Sequence, residues 1–347
     1  MKLFYFSLCS VFMLVFFFSK EGVCQSNYYQ GKTITFMQGR SPGGVGDLRN
    51  KVIFPFLQKY IPGHPTIISE YMPGGGGRKL ANHIYHSVKA DGLAIGASSP
   101  GILASAVLGM SGVKFDPAKF IYLGSPFSEN NNIFVTRKAL GINSLEKLRE
   151  HVGLRVGGQS VGHVQFIRSR LFAWLLGLKE PKFVVGYSGA ELDVALERGE
   201  IDSRASAVDK DTMSAEYKKV ADFHAILEIP KGSRPPVFAS LPEVGTFARN
   251  QLERDVLAMS RSFWGAGTLI FLPPNTPENL VQTVRQAMRK SFEDPEFHES
   301  YKKLLGVEPT PLMPEDQQKI VADLPRDPEV AKAFAAIADM GPLPPRK

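Results

Sequence analysis

Twice in succession the chain runs from a short β-branched, apolar stretch through a cluster of glycines into a helix-patterned segment. TITFMQG (33–39) leads through SPGGVGD (41–47) to a stretch where Leu48, Val52, Phe56 and Tyr60 recur at four-residue spacing, with Ile53 and Leu57 beside them. TIISEYM (66–72) leads through PGGGG (73–77) to a stretch carrying Leu80, Ile84 and Val88. The β-branched stretches read as buried strands, and the four-residue spacing places its apolar residues on one helix face. LAIGASS (93–99), followed by the small-residue helix ILASAVLG, supplies a third unit. Strands and helices that alternate with short loops predict a parallel sheet with right-handed crossovers. Asp47 is the expected N-cap of the first helix, and Pro55, inside that pattern, should kink or split it.

A second block of the same kind begins near Ile121. IFVTR (133–137) and LRVGG (154–158) read as strands around a helix, NSLEKLREH, opened by Asn143 or Ser144. GQSVGHVQFIRSRLFAWLLG turns into a helix, KFVVGYSG is strand and turn, and AELDVALERGEID is a helix running into a strand at Ile201. After AILEIP (225–230) comes a Pro-rich arm, and the C-terminal third reads as helices that open on Thr276-Pro277, Asp294-Pro295 and Asp327-Pro328. The expected division is a first lobe over 25–126, a second over 127–230, and a return to the first lobe with C-terminal helices over 231–347.

Lys2, the apolar run Leu3 to Phe18 and the polar SKEGVCQS read as a secretory signal peptide over 1–24, cleaved between Cys24 and Gln25. The apolar run is short of the ~20 residues needed to span a bilayer. An exported, periplasmic protein follows. Both cysteines, Cys9 and Cys24, fall inside this segment, so the mature chain would carry no disulfide, cysteine-ligated zinc or cysteine nucleophile. The remaining length exceeds what one compact core usually takes, which favours two domains. A net charge of +7 suits anionic partners. Lys and Arg are nevertheless scattered, with no aromatic-interleaved basic cluster, which argues against nucleic acid.

Glycines at a strand-to-helix turn let backbone approach a ligand and leave helix N–H groups facing it, which favours anions. Two such loops ending adjacent strands would form a carboxylate cradle, flanked by Arg40 and Arg78. Nucleotide motifs fail: GGGGRKL lacks the spacing and Ser/Thr of a phosphate-binding loop, and no G-x-G-x-x-G follows either strand. GQSVG (158–162) matches G-x-S-x-G, and Asp202, Asp209 and His224 or His298 follow it in the order of an α/β-hydrolase. A secreted serine hydrolase using Ser160 is therefore the alternative function, although no HGGG-type motif precedes it. His83 and His86 share a helix face without a nearby acidic partner, so no metal and no cofactor is expected.

At these loops the sequence resembles the extracytoplasmic solute receptors of tripartite tricarboxylate transporters, the Bug-type receptors, from about Lys32 to about Pro309. The carriers are SPGGVGD, YMPGGGGRKLANHIYHSVKADGLAIG, GGQSVGHVQF, GYSGAELDVALERGEID, SLPEVGTF and FWGAGTLIFLPPNTPENLVQTV, in that order. The resemblance implies an α/β fold of the type II periplasmic binding protein class, with a ligand cleft between two α/β lobes. It implies no catalysis, a monomer, and a small carboxylate held largely by backbone amides and handed to the transporter's membrane permease subunits. By position the first-lobe contacts would be Ser41, Pro42, Gly43 and Gly44, then Gly74, Gly75, Gly76 and Gly77, then Ser98 and Ser99. The second-lobe contacts would be Gln159, Ser160, Gly162 and His163, then Tyr187, Ser188 and Gly189, with Asp202 lining the cleft. The sequence departs from the family pattern at Gly39-Arg40-Ser41-Pro42, at Pro55, and at Asp202, which SRAS follows instead of apolar strand residues.

Overall fold

The computed structural model describes residues 28–129 and 131–346. The expected signal peptide and the Cys24–Gln25 bond lie outside the described residues. No helix among the described residues is long and apolar enough to cross a membrane.

Ten strands form two five-stranded sheets: β1 (Thr33–Gln38), β2 (Thr66–Tyr71), β3 (Ala94–Ser98), β4 (Ile121–Tyr122), β5 (Asn132–Arg137), β6 (Arg155–Gly157), β7 (Lys182–Val184), β8 (Ser203–Ala207), β9 (Ala221–Leu227) and β10 (Leu269–Leu272). The first sheet has the order β2-β1-β3-β10-β4 and the second β7-β6-β8-β5-β9. In each, three strands run parallel, as alternating strand and helix requires. In each, the fourth strand runs antiparallel to both its neighbours. That strand, β5 or β10, is the first one built after the chain crosses from one sheet to the other, so both sheets are mixed rather than parallel throughout. The segment expected to open the second block, Ile121–Tyr122, is instead the edge of the first sheet; the crossing lies between β4 and β5.

Seven helices flank the strands that build the site: α1 (Val45–Lys51), α2 (Phe54–Tyr60), α3 (Arg78–His86), α4 (Gly101–Val107), α5 (Leu145–Glu150), α6 (Val164–Leu176) and α7 (Glu191–Arg198). Pro55 splits the long amphipathic pattern as its missing N–H demands, ending up in the first turn of α2. Asp47 does not cap α1. Gly44 is the N-cap, and Asp47 sits in the first turn, fully buried.

One apolar cluster runs from Leu80 and Ile102 in the first lobe through Trp264 and Phe334 to Phe166 and Leu171 in the second. Phe334, on the helix Pro328–Ala338, is fully buried against the rings of Phe263 and Trp264; truncating such a ring to alanine costs about 3–5 kcal/mol. The chain's last segment closes this seam. The fully buried Arg170 of α6 donates to the carbonyls of Ala336, Ile337 and Gly341, and Trp174 Nε1 donates to Pro344 O. Arg346 donates to Leu175 O, Phe247 O and the Glu253 carboxylate.

Candidate functional site

The carboxyl ends of β1 and β3 point their loops at the loop between β6 and α6 and at the start of α7, and a cavity of about 360 Å³ lies between. Its size falls at the small end for ligand pockets. The first lobe contributes Arg40, Ser41, Gly43 to Arg49, Ser99 and Pro100 to its wall. The second contributes Gln159, His163, Gln165, Arg168, Gly189, Asp193, Arg204, Ser206 and Asp209. Phe127 and Thr268, from the two segments that join the lobes, complete it.

Of the residues carried over by position, Ser41, Gly43, Gly44, Ser99, Gln159, His163 and Gly189 lie on this wall. Others are spent on holding the lobes together. Gly76 packs on the GQSVG loop so closely that a Cβ there would lie 2.5 Å from the Gly162 carbonyl carbon, and its amide donates to Ser160 Oγ at 3.3 Å. A Cβ on Gly101 would likewise meet Gly162 O at 2.7 Å. Gly74, Gly75 and Gly77 shape the same loop with positive φ. Gly77 lies over the buried Ser98, whose hydroxyl a Cβ would meet at 2.2 Å. Gly44 and Gly189 face each other at the other lip, where a Cβ on Gly44 would lie 3.5 Å from Gly189 Cα. The second glycine cluster thus lets two backbones meet across the cleft, a reason the sequence could not distinguish from a ligand cradle.

The remaining positions stand off the cavity wall. Pro42 is exposed. Tyr187 OH donates to Glu200, and Ser188 exchanges hydrogen bonds with Glu191 at the start of α7. Asp202 does not line the cleft: Arg155 holds it with its backbone N–H, Nε and Nη2, and Arg137 lies beside it, at the end of β8 away from the cavity. Burial alone would raise the Asp202 carboxyl, but Arg155 and Arg137 outweigh it and the pKa is lowered.

No hydrolase triad assembles. Ser160 Oγ accepts from Gly76, His224 pairs with Thr136 Oγ1, and His298 binds Phe292 O. Asp209 is tied to Thr212 as the cap of a one-turn helix.

What the loop reading missed is the charge on the wall. Arg49, Arg168 and Arg204 are 6, 3 and 5 % exposed. Arg40 is partly exposed as a whole, yet its Nε and Nη2 are shielded from solvent and have no hydrogen-bond partner; the same holds for Arg49 Nε and Ser99 Oγ. Arg49 stacks on the Phe127 ring at 4.1 Å, and Arg168 on Trp264 at 4.7 Å. Gly46 makes room for Arg40, since a Cβ there would overlap its Nη1. Burial lowers the pKa of Arg40 to about 10 and of Arg168 to about 9, with Arg49 lowering both further and Asp47 partly offsetting the first. His163 is pushed down to about 3 by burial and then by Arg40 and Arg168, so its ring is neutral.

The acids nearby are largely committed. Arg204 Nη1 pairs with Asp193 at 2.7 Å. Asp47 accepts from Gln38, Tyr71 and the Gly43 amide and pairs with Lys51. Burial raises the Asp47 carboxyl, but these donors outweigh it and the net shift is downward. The arrangement can hold a small anion through guanidinium groups, a neutral imidazole, a hydroxyl and amides. Strand alternation was the readable signal for part of it: in SRASA the residues at Arg204 and Ser206 share one face, and that face is on the wall.

No family model matches this chain, and no curated protein matches it. Solved structures do. The periplasmic binding protein BugD is 16% identical with a TM-score of 0.70, over 90% of this chain and 99% of its own. MatC from Rhodopseudomonas palustris, solved with bound malate, is 20% identical with a TM-score of 0.66, over 89% of this chain and 99% of its own. Rpa4515 from R. palustris, solved with adipate, is 18% identical with a TM-score of 0.66, over 89% and 97%. At such identities the shared property is the fold: two α/β lobes of the periplasmic binding protein type, with the cavity in the cleft between them.

Proposed function

We propose that this protein is a non-catalytic extracytoplasmic solute receptor of the Bug type, which captures a small carboxylated solute in its interlobe cavity and delivers it to the membrane permease subunits of a tripartite tricarboxylate transporter. One observation carries the reading: shielded guanidinium nitrogens of Arg40 and Arg49 face the cleft without partners, and a carboxylate supplies what they lack. The fold shared with structures solved with malate and adipate supports it. In this reading residues 1–24 direct export to the periplasm and are removed. The mature protein acts as a monomer without cofactor, its lobes divided near residues 126 and 230.

The experiment is a thermal-shift screen of the purified mature chain against organic acids. A ligand at 100 times its dissociation constant adds about 2.7 kcal/mol of stability, which a melting curve resolves. A serine-reactive phosphonate tests the enzyme alternative, and labelling of Ser160 would overturn the receptor reading.

A further inference from the structure

We propose that the interlobe cavity has a second mouth, through the second lobe, which Tyr217 stoppers, so that this ring sets how long a tail the bound solute can carry. The proposal rests on the receptor reading and goes beyond it, because a cleft between two lobes needs only the mouth that lobe opening provides.

Three observations lead there. The first is adjacency. A groove of about 630 Å³ lies on the outer face of the second lobe, bounded by α7, the end of β5 and the one-turn helices Lys210–Met213 and Tyr217–Val220. Tyr217 and Asp211 line both this groove and the interlobe cavity. Among the described residues these two are the partition.

The second is the way the ring is held. Tyr217 OH donates to Asp193 Oδ1 at 3.3 Å and shares a hydrogen bond with Ser206 Oγ at 3.1 Å. Asp193 and Ser206 are themselves on the cavity wall. The ring also stacks on Phe223, with centroids 6.1 Å apart. The hydroxyl therefore aims the ring, and the bulk of the ring closes the passage.

The third is the character of the groove. Each cation on its wall stands near a carboxylate: Lys219 lies 2.8 Å from Glu216, Arg137 3.8 Å from Asp202 and Lys138 4.0 Å from Asp222. Glu197 and Asp211 are exposed, where water and salt screen them. Such a wall offers hydrogen bonds without drawing a charge, which suits an uncharged polar tail better than an alkyl one. The solute class is thus a carboxylate whose tail carries amide or ether groups, and Tyr217 limits the length of that tail.

The test is calorimetric titration of the mature protein, at fixed ionic strength and pH 7.5, with N-acetylglycine, N-acetyltriglycine and N-acetylpentaglycine. Each probe has one carboxylate and an uncharged tail that grows by up to about 3.6 Å per residue. The parent is expected to bind N-acetylglycine at least tenfold tighter than N-acetylpentaglycine. In Tyr217→Ala that ratio should fall to threefold or less through a gain by the long probe, with N-acetylglycine affinity changed by less than threefold. Adding Glu197→Trp to Tyr217→Ala fills the groove and should restore the ratio. Tyr217→Phe keeps the ring and should keep the parent ratio within threefold. Should Tyr217→Ala fail to fold, Tyr217→Leu reads the same ratio. Equal affinity of the parent for short and long probes overturns the proposal and leaves the receptor reading standing. A ratio that persists in Tyr217→Ala or Tyr217→Leu overturns it too, as does a gain that survives Glu197→Trp. Relaxation in Tyr217→Phe as large as in Tyr217→Ala overturns the steric stopper. Binding of none of the probes at millimolar concentration overturns the proposal, while the organic-acid screen decides the receptor reading on its own.

Discussion

The amide of Gly76 donates to Ser160 Oγ at 3.3 Å, joining the glycine cluster that follows β2 to the serine of GQSVG on the opposite lobe. Two motifs that look in sequence like separate pieces of chemistry are thus the two halves of one contact. At this lip the glycine lets one backbone rest on another.

Gly76→Ala should therefore hold the cleft open. Its φ of +65° disfavours any side chain, and the Cβ would lie 2.5 Å from Gly162. Small-angle scattering should show a larger radius of gyration, and anion affinity should drop at least tenfold while each lobe stays folded. Gly43→Ala is the control. It shares a positive φ but its Cβ would meet nothing within 4 Å, so it should cost only backbone strain, about 1 kcal/mol, and leave the cleft closed.

Gly46→Ala separates binding from stability. Position 46 is inside α1, where alanine is favoured over glycine by about 0.5–1 kcal/mol, yet its Cβ would overlap Arg40 Nη1. The variant should melt at or above the parent temperature and bind the carboxylate found by screening about tenfold more weakly. Unchanged affinity would show that Arg40 does not touch the solute.

Asp47→Ala should destabilise by about 1–3 kcal/mol, because it strands the fully buried Gln38 amide and removes the acceptor of Tyr71 and the Gly43 amide in a partly buried setting. Lys51→Ala removes only a half-exposed ion partner and should cost less than about 1 kcal/mol. Urea denaturation of the two variants, compared by midpoint, checks the contrast.

Stability should fall as pH drops below neutrality. His163 is held down to about 3 and His224 to about 4, both chiefly by burial. Between the usual histidine value of about 6.5 and those values the unfolded chain binds protons that the folded chain refuses. Stability is thus complete above about pH 6.5 and is lost going down, at up to about 1.4 kcal/mol per pH unit for each histidine. Denaturation midpoints at pH 7, 6 and 5 should show the slope, and His224→Gln should reduce it.

Asp202→Asn distinguishes a structural acid from a binding one. It breaks the bidentate grip of Arg155 and should lower the melting temperature, while affinity for the carboxylate found by screening stays within threefold. A large loss of affinity at unchanged stability would place Asp202 in the site after all.

The strands, the glycine turns and the break at Pro55 were legible because each follows from a local rule: periodicity, conformational freedom, a missing N–H. Which glycines line the cavity was not legible, since Gly43 and Gly76 differ only in what the opposite lobe brings to them. The arginines show the same limit. Arg168 and Arg170 interrupt an apolar helix, VQFIRSRLFAWLL, and two cations there must each find a counterpart. Only the tertiary arrangement assigns Arg170 to backbone carbonyls and Arg168 to Asn132 and the Trp264 ring at the cavity wall. The departure at SRAS carried real information, because Arg204 and Ser206 make that strand polar on the side that meets the cleft.

The grip of Arg170 on the carbonyls of Ala336, Ile337 and Gly341 also sets a clock. A fully buried guanidinium cannot settle into α6 until those acceptors exist, since burying it unpaired is too costly. The packing of α6 is therefore complete only with carbonyls that lie 166 to 171 positions further along the chain.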